Sequence, residues 1–89
     1  MTEVPYPWTA SVIVCTKTPT VADWLDRALR PEAAREVPRA RADVRRGAAN
    51  SLEITISARD SGAMRAALNT YLGWIHLSLA TARAADRSM

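Results

Sequence analysis

Apolar and polar positions are arranged differently in successive stretches of this chain, and each arrangement predicts an element. The run Ala10-Ser11-Val12-Ile13-Val14-Cys15 is rich in β-branched residues and has the length of a strand, so a strand is expected over residues 9–16. Val21, Trp24, Leu25, Ala28 and Leu29 then recur at three- and four-residue steps, the period of one helix face. Thr18 and Thr20 offer hydroxyls for its first N–H groups, with Asp23 three residues beyond Thr20 as in a capping box, and Pro31 is expected to end the helix at Arg30. After a connection over residues 32–39, Ala42 and Val44 alternate with Arg41, Asp43 and Arg45, and Leu52, Ile54, Ile56 and Ala58 alternate with Glu53, Thr55 and Ser57. Two half-buried strands joined by a turn at residues 46–50 satisfy that alternation, Gly47 and Asn50 supplying the turn residues.

From Ser57 or Asp60, either of which can cap, the chain runs to about Ala85 without proline, and a second, long helix is expected. On a helical wheel Met64, Leu68, Tyr71, Leu72, Ile75 and Leu79 share one arc, the expected core face. Ala63, Ala67, Thr70, Trp74, Leu77 and Thr81 lie on a second stripe of mostly small residues around one large aromatic. Small residues let another helix approach closely and Trp is a frequent interface anchor, so this stripe reads as a helix-docking face, the alternative being that Trp74 covers the end of the first helix. Arg65, Asn69, His76 and Arg83 form a polar arc that suits solvent.

Composition bears chiefly on the core. At 89 residues the chain has room for one domain, and 17 of its apolar residues are alanines that bury little area each. A domain of this size buries only roughly 60–65% of its unfolded surface, so association with a partner would add a useful share of stability. The formal charge of +3 is too small to mark a dedicated nucleic-acid binder by itself, although eleven of the twelve basic residues are arginine. A single cysteine excludes an internal disulfide, and neither a basic-then-apolar leader after Met1 nor a long apolar run is seen, so a cytoplasmic protein that does not enter membranes is expected.

The side-chain inventory is poor in catalytic chemistry. Cys15 lies in a β-branched run and reads as an inert core thiol, and His76 has no His, Cys or carboxylate three or four residues away, so no catalytic residue, metal ligand or cofactor is expected. Gly47, Gly62 and Gly73 are too far apart for a phosphate-cradling loop. The alternative to a protein-binding role is a small stand-alone RNA-binding module, with Arg41, Arg45, Arg46 and Arg59 turned to phosphates, although an aromatic stacking platform and a Gly-x-x-Gly clamp are not evident.

Three stretches in order resemble a known family. Arg27-Ala28-Leu29-Arg30-Pro31-Glu32 resembles a Pro-Glu motif at a helix end, and Leu52-Glu53-Ile54-Thr55-Ile56-Ser57-Ala58-Arg59-Asp60 a last strand entering a helix. Arg65-Ala66-Ala67-Leu68-Asn69-Thr70-Tyr71-Leu72 is similar to an Arg-x-x-x-Asn-x-Tyr-Leu signature on the helix that follows. The family is the small dimerising subunit of the KEOPS complex, the CTAG/Pcc family. The resemblance implies an α+β fold, a three-stranded antiparallel sheet with two helices on one face in the order β-α-β-β-α, in agreement with the reading of the residues.

It also implies a non-catalytic, dimer-forming scaffold with no cofactor. The expected partners are a second copy or a paralogue, a TsaD-like catalytic subunit that makes threonylcarbamoyladenosine beside the anticodon, and tRNA through the complex. On this chain the docking residues are expected to be Trp24, Ala67, Thr70, Trp74 and Leu77, and the dimer contacts Val12, Val14, Arg41, Asp43, Arg45, Glu53 and Thr55. Residues 1–8 are expected to be an amino-terminal arm, residues 9–85 the domain and residues 86–89 a tail.

Overall fold

The computed structural model describes residues 6–33 and 39–87, the side chains of 85–87 excepted. Its elements are strand β1 (Trp8–Cys15), helix α1 (Pro19–Ala33), strands β2 (Ala40–Arg46) and β3 (Ser51–Ala58), and helix α2 (Ser61–Arg87). The expected β-α-β-β-α order and α+β class hold. Residues 1–5 of the expected arm, Ser88 and Met89 of the expected tail, and residues 34–38 of the connection, including Arg35, lie outside the described residues. Trp8, expected in the arm, opens β1, and α2 continues two residues past the expected end at Ala85.

β3 is central, pairing antiparallel with β1 on one side and β2 on the other. The register places Val12, Ile54 and Val44 in one cross-strand row and Ala10, Ile56 and Ala42 in the next. Side chains alternate between faces, so Leu52, Ile54, Ile56 and Ala58 all point to the side covered by the helices, where each is fully buried. Leu25 and Leu29 from α1 and Met64, Tyr71 and Ile75 from α2 close this core.

The first helix starts as expected and departs from expectation at its end. Its cap is Thr18, whose Oγ accepts the Val21 N–H at 3.2 Å, with Pro19 in the first turn, where its missing N–H costs nothing. Pro31 does not stop it: the helix runs on to Ala33 with Pro31 exposed in its last turn. At that position proline removes one hydrogen bond near an end already short of partners, a smaller loss than in a helix interior. For α2, Asp60 is the cap: its carboxylate accepts the Ala63 N–H at 2.8 Å, while Ser57 belongs to β3.

One end of the sheet is tied by polar contacts that join three segments. The Thr16 N–H donates to the Asn50 carbonyl at 2.8 Å, and the Asn50 amide returns a bond to the Thr16 carbonyl at 2.6 Å. The Thr16 hydroxyl, buried there, lies within reach of the Thr18 and Asn50 carbonyls. Arg46 reaches from β2 to Asp23 on α1 and to the Ala49 carbonyl of the turn. Here Gly47 has a special place: a Cβ on it would sit 2.4 Å from the Ser51 Oγ.

α2 is longer than the layer it covers. Its 27 residues rise about 40 Å, whereas eight-residue strands span about 26 Å. Among the described side chains Ile75 is the last buried one of α2 and Leu79 the last apolar one packed on the core, so the final turns project past the sheet along the 55 Å long axis.

Candidate functional site

The docking residues expected on the helices fall in different environments. α1 and α2 pack against each other, so Trp24 and the Ala67–Leu77 stripe do sit on neighbouring helices. Trp24 is 41% and Leu77 65% exposed, both large apolar groups presented to solvent. Ala67 is half-buried against the core, and the exposed Thr70 turns its hydroxyl back to the Ala66 carbonyl at 2.9 Å.

Trp74 does not project freely. It is half-buried, packed against the core, with its ring edge-on to Tyr71 at 5.1 Å between centroids. Tyr71 in turn points its hydroxyl at the Glu32 carbonyl near the end of α1, at a long 3.4 Å. Burial, reinforced by the Glu32 charge, pushes the Tyr71 pKa up.

Leu72, expected in the core, is instead 48% exposed. It lies one residue beyond Tyr71, far enough round the helix to clear the sheet. Leu72 lines an open groove of about 340 Å³ with Trp8, Ser61, Met64, Arg65, Leu68 and Asn69. The expected polar arc therefore splits, Arg65 and Asn69 flanking this apolar groove rather than facing open solvent alone. Gly73 next to Leu72 is open, with nothing within 4 Å of the place a Cβ would take.

The expected dimer residues do not share one face. Arg41, Asp43, Arg45, Glu53 and Thr55 lie on the sheet face away from the helices, but Val12 and Val14 alternate to the helix side and pack against the core. What β1 offers the outer face is Thr9, Ser11, Ile13 and Cys15. Ile13 is 66% exposed and stands in register with Glu53 and Arg45, making it a large apolar group on the β1 edge of a mostly polar face. The period-two pattern was hidden in the second half of β1, where Val12, Ile13, Val14 and Cys15 run apolar without a break, leaving only Thr9 and Ser11 to mark the parity. Cys15, expected in the core, is on this outer face and exposed.

The four arginines expected to meet RNA are divided between opposite ends of the sheet. Arg45 lies 3.7 Å from Asp43, and Arg46 is held by Asp23 and the Ala49 carbonyl. Arg41 and Arg59 are at the other end, where Arg41 stacks over the Tyr6 ring at 4.6 Å and the Arg59 N–H donates to the Arg39 carbonyl at 2.8 Å. Arg39 also pairs with Asp60 there. The Ala63 N–H, and after it Arg39, hold the Asp60 carboxyl below its usual pKa.

Two helices on one face of a three-stranded sheet, an open outer face and the Arg-x-x-x-Asn-x-Tyr-Leu run on α2 together delimit what the chain is similar to. A family profile described as transcription factor Pcc1 matches residues 9–83, every element from β1 to the projecting part of α2. The chain belongs to the Pcc1 family. This is the family of the Pcc1 subunit of KEOPS, a non-catalytic subunit associated with tRNA modification, and this Pcc1-family chain is accordingly a KEOPS-associated subunit. Comparison with curated proteins yields no match. No helix among the described residues is long and apolar enough to cross a membrane.

Proposed function

We propose that this Pcc1-family chain is the dimerising scaffold of a KEOPS complex and docks the TsaD-like catalytic subunit through α1 and α2. The observation that carries the reading is the unfinished helix layer: Trp24 and Leu77 exposed on adjacent helices, Gly73 open, and the last turns of α2 projecting beyond the sheet. A helix or helix pair laid against this surface would bury apolar area that the chain's own small core leaves uncovered. Trp74 contributes from beneath, holding Tyr71 and the α1 end in place for the partner, while Trp24 and Leu77 make direct contact.

Dimerisation uses the opposite side. Ile13 on the β1 edge of the outer face, with Glu53 and Thr55 beside it on β3 and Arg45 and Asp43 beyond them on β2, pairs with the same patch of a second copy or with a paralogue, so that dimer contact and catalytic-subunit docking do not compete. The reading of the chain as a stand-alone RNA module built on the Arg-rich hairpin is weaker, because Arg45 and Arg46 are engaged with carboxylates.

Co-purification with the catalytic subunit tests the docking. Trp24→Ala combined with Leu77→Asp, both at exposed positions, should abolish capture while the chain keeps its thermal melt, and Ile13→Asp should leave capture intact but yield monomers. Full capture by the Trp24/Leu77 double variant would place the docking surface elsewhere.

A further inference from the structure

We draw no further inference here: the strongest candidate, the open apolar groove that Trp8 at the start of β1 forms with Met64, Leu68 and Leu72 of α2, is an unpartnered surface, and nothing in the structure shows what covers it.

Discussion

At the scale of single residues, the α2 start and the residue before β2 are linked through Asp60 and Arg39. The Asp60 carboxylate caps α2 and meets the Arg39 guanidinium, and both contacts favour its charged form, which lowers its pKa from 3.8. A group with a depressed native pKa contributes stability above the unfolded value and loses it as pH falls through the native one. Acid unfolding of the wild-type chain below about pH 4 should therefore include an Asp60 contribution that Asp60→Ala lacks, and that variant should melt several degrees lower at pH 7 with a flatter profile between pH 2 and 4. Arg39 itself has φ 73°, the left-handed region that is costly for a residue with a Cβ. Replacing it by alanine loses the exposed pair and keeps the strain, whereas glycine loses the pair and relieves the strain. Arg39→Gly should consequently exceed Arg39→Ala in stability by about 1 kcal/mol, or about 4–8 °C in Tm, read from paired thermal melts.

The capping roles were partly legible at this scale and the arginine environments were not. Asp60 was visible as a cap from its place before an apolar-periodic run, and its Thr18 counterpart was one of two threonines the pattern allowed. The pairing of Arg46 with Asp23, 23 residues apart, depends on α1 crossing the hairpin turn and leaves no local signal. Nor does the meeting of Tyr6 with Arg41, which requires β1 and β2 to flank the same strand.

At the scale of elements, periodicity found four of the five and the β-branched run found β1, and the reading failed where two forces compete. Pro31 disfavours a helix locally, yet packing of Leu29 and Ala33 on the core outweighs one missing hydrogen bond in the final turn. Leu72 lies at the margin of an apolar arc, and the width of the sheet rather than the helix period decides that it remains outside. α2 offers a direct test of how an element serves both stability and partner contact. Gly73 is solvent-exposed in the middle of the helix with no neighbour near the Cβ position, so Gly73→Ala should stabilise the isolated chain by about 1 kcal/mol, raising Tm by roughly 4–8 °C. If a partner helix approaches closely at that point, Gly73→Trp should fold equally well and lose the catalytic subunit.

At the scale of the whole molecule, the core consists of one apolar sheet face closed by a few large helix residues. Removing the centre of that face should be severe: Ile54→Ala is expected to cost about 2–5 kcal/mol, a large part of the roughly 5–10 kcal/mol available to a domain of this size, and urea denaturation would measure it. The same thinness explains why both remaining surfaces carry exposed apolar groups, Ile13 on the sheet and Trp24 and Leu77 on the helices, on opposite sides of one layer. A helix side and a sheet side were both expected as contact surfaces; what was concealed is that Ile13, and not Val12 and Val14, faces out, because Val12-Ile13-Val14-Cys15 run apolar without a break. In the scaffold we propose, this two-sidedness lets one small chain hold a second copy and a larger subunit at once. The most direct measurement is size-exclusion chromatography with light scattering on the chain alone and mixed with the TsaD-like subunit. A dimer that moves into a larger complex containing both chains is the expected result, and a monomer that elutes unchanged in the mixture would contradict the scaffold account.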